Sequence, residues 1–158
     1  MAAHKPALEA RSVAARNRSG YPEPYRSRVL PREKRALGDA FGLRRIGVNQ
    51  TTLLPGKESS MRHWHTREDE FVYVLEGEVV LRTGAGEQLL TAGMCAGFPA
   101  GVEDGHQLVN RSARPAVYLE VSNRDPEDCG HYSDPDVDLV YSPPQARGRF
   151  TRRDGTAY

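Results

Sequence analysis

The chain has little of what usually settles a protein's class at a glance. Of its 158 residues only Cys95 and Cys129 are cysteines, too few for a disulfide framework. No apolar run approaches the roughly 18 residues of a membrane span. Neither sign of charge is in excess: 22 Lys and Arg face 21 Asp and Glu, so no overall field gathers nucleic acid or an anionic membrane. A helix-turn-helix pattern is also missing from the N-terminal segment. These absences predict a soluble, reduced, cytoplasmic protein with no nucleic acid and no membrane partner, leaving a small molecule as ligand or substrate. The first residues, MAAHKPALEARSVAARNRSG, are rich in Ala and Arg like an organellar transit peptide. Glu9 and the poor amphipathicity weigh against that reading, and a mobile tail is expected.

What is present fits one domain, long enough to bury a substantial core. Residues 1–40 read as a flexible tail and an extended arm lying on a neighbour, with helix only in a short piece around PREKRAL. From Phe41 the texture changes to short apolar runs: IGVNQTTLL, MRHWH, EFVYVLEG, EVVLRT, MCAGF, HQLVN and AVYLEV. Glycines fall mainly at their joints. Regular short strands with such punctuation predict an antiparallel sandwich or barrel over residues 41–125. Residues 126–158 form an acidic loop and a basic tail expected to pack on the barrel; solvated loops are the plainer alternative.

The stretch GKESSMRHWHTREDEFVYVLEG carries the chemistry. In a strand, alternate side chains share a face, so His63 and His65 point one way and Trp64 the other, toward packing against another sheet or subunit. Glu70 opens the next strand and shares a face with Val72 and Val74, while Phe71, Tyr73 and Leu75 take the opposite face. Both faces being apolar, the strand is expected to be covered on both sides, one of them by the arm or a second subunit. A glutamate among valines is costly to bury alone. A divalent cation shared with His63 and His65 resolves that conflict, although an isolated His-x-His is more often merely solvated. Asp69 is the alternative to Glu70 as ligand; Glu58 and Glu68 read as rim charges.

Further on, GMCAGFPAGVEDGHQLVN places Pro99 and Gly101 in a turn before His106. Here the chain resembles the cupin superfamily. The first motif of that family is Gly, five residues, His-x-His, three or four residues, Glu, six residues, Gly, and Gly56, His63, His65, Glu70 and Gly77 fill those places. The second is Gly, five residues, Pro-x-Gly, two residues, His, three residues, Asn, matched by Gly93, Pro99, Gly101, His106 and Asn110. Six residues rather than five follow Gly56, and four rather than two follow Gly101, departures of loop length that antiparallel scaffolds tolerate. The layout is also similar to small single-domain cupins of the sugar phosphate isomerase-like kind.

The resemblance implies an all-β fold, a double-stranded β-helix (cupin or jelly-roll barrel) with an extended N-terminal arm and a C-terminal tail. It implies His63, His65, Glu70 and His106 as ligands of one divalent metal ion (Mn, Fe, Ni, Co or Zn), with His4 and His131 poorly placed to replace His106. Gln50, Met61 and Tyr73 are expected near the pocket, Met61 foremost. Cys95 reads as a small buried residue. Glu120 is expected to face outward, because Val117, Leu119 and Val121 more naturally point inward, which leaves no general base in place. A phosphate-binding role would need Arg44, Arg45, Arg62 or Arg82 to converge at the barrel mouth. The expected function is a metal-dependent enzyme, an isomerase, lyase or oxygenase, acting on a small oxygenated metabolite such as a sugar, sugar phosphate or hydroxy acid. A non-catalytic binding or regulatory cupin is the alternative, and a barrel with a purely structural metal the third. A homodimer is expected, as isolated cupin barrels often pair.

Overall fold

The computed structural model describes residues 7–142 and 149–158; His4 lies outside the described residues. The regular structure is mostly strand: β1 (Arg32–Ala36), β2 (Ile46–Leu53), β3 (His63–His65), β4 (Glu70–Glu76), β5 (Glu78–Thr83), β6 (Gly86–Thr91), β7 (Cys95–Phe98), β8 (Gln107–Val109), β9 (Ala116–Asn123), β10 (Gly130–Tyr132), β11 (Val140–Ser142) and β12 (Arg149–Thr151). Two short helices, α1 (Tyr25–Val29) and α2 (Leu37–Ala40), flank β1. Among the described residues no helix is long and apolar enough to cross a membrane.

One layer is a five-stranded antiparallel sheet in the order β1-β2-β9-β4-β7. The other consists of two strips, β6-β5-β8 and β12-β11-β10-β3. A bridge between His63 and His106 joins them, each backbone N–H donating to the other's carbonyl, at 3.1 and 2.9 Å. The architecture is that of a jelly roll. Between the layers lies a core of Leu53, Val72, Val74, Val79, Leu81, Leu90, Leu108, Ala116 and Tyr118. A second cluster joins Tyr21, Tyr25 and Val29 of the arm to Met61, Val137 and Leu139.

Several expectations change at this level. PREKRAL contains a strand rather than a helix: Arg32 to Ala36 pair with Leu53 to Asn49, an edge that a partner strand makes more favourable than an isolated short helix. On the outer face of β4, Phe71, Tyr73 and Leu75 are 36–41% exposed among the described residues, while Tyr21, Tyr25 and Val29 of the arm pack against Met61, Val137 and Leu139 instead. Cys95, opposite Tyr73 on β7, is exposed by the same parity. The acidic and basic ends do meet, with Arg153 donating through its N–H to Asp138 Oδ1 at 2.8 Å and through its guanidinium to the Asp134 carbonyl at 2.9 Å.

Candidate metal centre

The bridge between β3 and β8 decides where the imidazoles go. His63 and His106 are directly paired, and His65 follows two residues along β3, so all three rings leave the same inner face. Ring centroids lie 4.9 Å apart for His63 with His65 and for His63 with His106. Glu70 enters from the opposite layer at the start of β4, on the same face as the buried Val72 and Val74. Its Oε2 is 2.8 Å from His106 Nε2, 3.5 Å from His65 Nε2 and 3.7 Å from His63 Nε2.

That oxygen is buried, and among the described residues it makes no hydrogen bond of acceptable geometry despite the 2.8 Å separation. Three nitrogens crowd around it without satisfying it. An ion with bonds of about 2.1 Å spaces neighbouring ligand atoms about 3.0 Å apart in an octahedron and about 3.4 Å in a tetrahedron. The observed spread brackets both values; His63, Glu70 and His106 offer ligand atoms all within 4.8 Å of one another, a set that fits a metal ion, while His65 reaches Glu70 Oε2 and also groups with Glu68 and Asp128. Burial would raise the Glu70 pKa, but the three histidines outweigh it and bring it down to about 2. Burial pulls His63 down to about 4, against the opposing pull of Glu70. Both groups are thus held in the deprotonated form that a metal requires.

The rings are oriented from behind. His63 Nδ1 lies 2.9 Å from the Met61 carbonyl. His65 Nδ1 lies 2.5 Å from Asp128 Oδ2, while Oδ1 of the same carboxylate accepts from the backbone N–H groups of Arg67 and Glu68. Asp128 is buried, and it belongs to the stretch the sequence presents as a solvated acidic loop. Phe98, opposite Glu70 on β7, stacks on the His106 ring at 3.6 Å. The turn of the second motif is tied to β3 by the Gly101 N–H, which donates to the His65 carbonyl at 2.8 Å. Asn110 is buried and structural: its amide donates to the Leu53 and Arg114 carbonyls.

Three cavities open around this cluster. One, of about 250 Å³, is mostly apolar, with Trp64, Leu81, Phe98 and Val102 on its walls beside His65, Glu70 and His106. Another, of about 170 Å³, runs from His63, Glu70 and His106 to Arg32, Lys34, Tyr118 and Glu120. The third, about 490 Å³, shares Tyr21, Arg32, Lys34 and His63 with the second and reaches Asp128 and Tyr141.

The remaining candidates sort cleanly. Met61 is buried, but in the cluster under the arm, and it serves the site through its carbonyl. Tyr73 is exposed on the outer face, and Gln50 lines a separate outer groove with Arg35 and Val117. Asp69 is exposed and accepts from the Ala100 N–H, so it is not a ligand candidate. Trp64 stacks on His131, its cross-strand partner, at 4.6 Å, and also borders the apolar cavity. Arg44 and Arg45 are exposed, Arg62 pairs with Asp134 and Arg82 with Gln107 and Glu87; none enters the cavities.

Glu120 reverses its expected direction. Ala116, Tyr118 and Glu120 face inward, whereas Val117, Leu119 and Val121 face out. The outer face of this sheet is also apolar, so hydrophobicity cannot tell the two faces of β9 apart. Arg32 and Lys34 had no sequence signal either, since they arrive on β1 only by pairing with β2.

A cupin domain model matches residues 49–122. A solved sugar phosphate isomerase of the cupin superfamily from Silicibacter pomeroyi is 42% identical, covering 97% of this chain and 96% of that one with a TM-score of 0.90. The chain belongs to the cupin superfamily. A candidate sugar phosphate isomerase from Acidithiobacillus ferrooxidans is similar to this cupin at 28% identity over 80% of each chain, with a TM-score of 0.71. A polyketide cyclase from Streptomyces resistomycificus shares the fold at 19% identity and a TM-score of 0.63, covering 82% of this cupin and 87% of that chain. Among curated proteins none matches.

Proposed function

We propose that this cupin is a metal-dependent enzyme in which His63, His65 and His106, through Nε2, and Glu70, through Oε2, hold one divalent ion of Mn, Fe, Ni, Co or Zn. The observation that carries this is the convergence of three imidazole nitrogens on one buried carboxylate oxygen that has no hydrogen bond of good geometry among the described residues. Three imidazoles and a carboxylate suit those metals. Four protein ligands leave one or two positions open on a five- or six-coordinate ion, and on such an ion they argue against a purely structural role. A metal there would polarise carbonyl or hydroxyl oxygens of a small metabolite.

The substrate class we propose is a sugar phosphate, and the reaction an aldose–ketose isomerisation. The 42% identical protein, aligned over nearly the whole chain, bears the name sugar phosphate isomerase, which supports the substrate class. On this chain, Arg32 borders both polar cavities, and its Nε is buried with no hydrogen-bond partner among the described residues. A guanidinium with a donor to spare suits a phosphoryl oxygen. The non-catalytic alternative drew on the lack of a base, and Glu120 now lines the cavity. We also infer that two copies pair through the outer face of β4 and β9, where Phe71 lies opposite Val121 and Tyr73 opposite Leu119.

Elemental analysis of protein purified without added metal or affinity tag tests the centre. About one equivalent of metal is expected in the wild type and none in His63→Ala or His106→Ala. Wild-type protein that is metal-free and takes up none of the five ions would sink the proposal.

A further inference from the structure

The pocket behind the four convergent side chains holds polar groups that ligation does not use. Lys34, Thr51 and Tyr118 form one cross-strand row on the inner face of β1, β2 and β9, and Glu120 stands in the next row. Glu120 Oε1 accepts from Lys34 Nζ at 3.0 Å, and Oε2 accepts from Thr51 Oγ1 at 2.7 Å. A carboxylate has about four acceptor sites. Two donors therefore fix its orientation and leave capacity toward the cavity, which it shares with Glu70, two residues along on the neighbouring strand β4, and with His63 and His106 of the facing layer. The Glu120 side chain keeps 27% of its surface accessible, so it is held without being sealed off. Tyr118, beside it, is a buried phenol near Thr51 but without a hydrogen bond of good geometry among the described residues. Burial first, and the Glu120 charge second, push its pKa well above the usual value, so it remains a donor.

We propose that Glu120 is the proton-transfer residue of this site, taking a proton from one substrate carbon and returning it to the next, with Lys34 and Thr51 positioning its carboxylate. The proposal rests on the isomerase reading above. In an aldose-to-ketose conversion the C2–H bond breaks and Glu120 takes the proton. The electron pair left behind forms the C1–C2 double bond as the carbonyl electrons move to O1. Glu120 then gives its proton to C1 while the C2 carbonyl forms, and the O2 hydroxyl proton passes to O1. Atoms and electrons balance with no oxidant, reductant or co-reactant. A pocket of about 170 Å³ lined by His63, His106 and Glu120 suits the two reacting carbons, and Arg32 lines both it and the larger cavity.

The test follows solvent deuterium entering glyceraldehyde 3-phosphate, erythrose 4-phosphate, ribose 5-phosphate and glucose 6-phosphate by proton NMR, beside metal content and calorimetric binding of inorganic phosphate. Wild-type protein should exchange at least one of the four. Glu120→Gln should keep about one equivalent of metal and wild-type phosphate affinity while losing exchange by about 100-fold or more, and Glu120→Asp should recover part of it. Lys34→Met should lower kcat with KM within about threefold, and Lys34→Arg should restore it, as expected of a residue that positions the base rather than binding substrate. If Glu120→Gln does not fold, the two Lys34 variants decide. Exchange by Glu120→Gln at the wild-type rate would overturn the role of Glu120 alone. A metal-loaded wild type that exchanges none of the four aldose phosphates would overturn the isomerase reading and this proposal together.

Discussion

Asp128 shows how much one side chain outside the proposed coordination set can carry. Its two oxygens divide the work: Oδ2 holds His65 Nδ1, and Oδ1 is itself held by the Arg67 and Glu68 N–H groups. Outer carboxylates of this kind fix the tautomer and aim of a ligating ring, and their loss typically costs 10- to 100-fold in metal affinity. Asp128→Asn is accordingly expected to fold and to weaken metal binding by about that factor, measured by competition with a chelator. Affinity equal to wild type would mean that β3 alone aims the ring. The buried phenols make a second prediction. Burial is the first cause raising the pKa of Tyr21, Tyr118 and Tyr132, so in the native state they stay protonated where unfolded phenols ionise. The unfolded state then binds fewer protons above about pH 10, and stability falls as pH rises through that region. Absorbance at alkaline pH should show these three ionising together with unfolding; free titration of all seven tyrosines before unfolding would contradict it.

Among the elements, the β4–β5 turn and the β3–β8 bridge contribute most to the geometry of the site. Gly77 sits between β4 and β5 at φ +75°, and a Cβ there would stand 2.9 Å from the Pro115 carbonyl oxygen. Both the dihedral and the contact exclude a side chain. Gly77→Ala should destabilise the fold by about 1 kcal/mol or more in denaturant titration; an unchanged midpoint would show that the turn relaxes freely. The period-2 pattern of His63, His65, Glu70, Val72 and Val74 was enough to put the three ionisable side chains on inner faces, because each strand has one buried side. On β9 the same reasoning gave the wrong face for Glu120. There the outward residues Val117, Leu119 and Val121 are as apolar as the inward Ala116 and Tyr118, so parity had nothing to grip. β1 was missed for a different reason. REKRA has no apolar alternation, and only the row of partners on β2 makes it a strand.

At the scale of the whole molecule, the stretch of the outer sheet face around Phe71, Tyr73 and Leu75 is left exposed among the described residues. Phe71, Tyr73 and Leu75 are exposed there, next to Leu119 and Val121 on β9. Contiguous exposed apolar surface of this kind usually marks an interface. Light scattering at micromolar concentration is expected to give a dimer, and Phe71→Glu a monomer that keeps its metal; a monomeric wild type would remove the inference. The sequence by itself determined the strand texture, the two glycine-bounded motifs and the four convergent side chains His63, His65, Glu70 and His106. Spacing along a strand fixes which way a side chain points, and motif order fixes which strands carry the convergent imidazoles and carboxylate. Only the tertiary structure decided what surrounds them. Asp128 lies 63 residues from His65, Lys34 lies 86 from Glu120, and Arg32 reaches the cavity from a segment that reads as an extended arm lying on a neighbour. Contacts over such separations depend on register and on which layer closes over which, and no local pattern of residues encodes either.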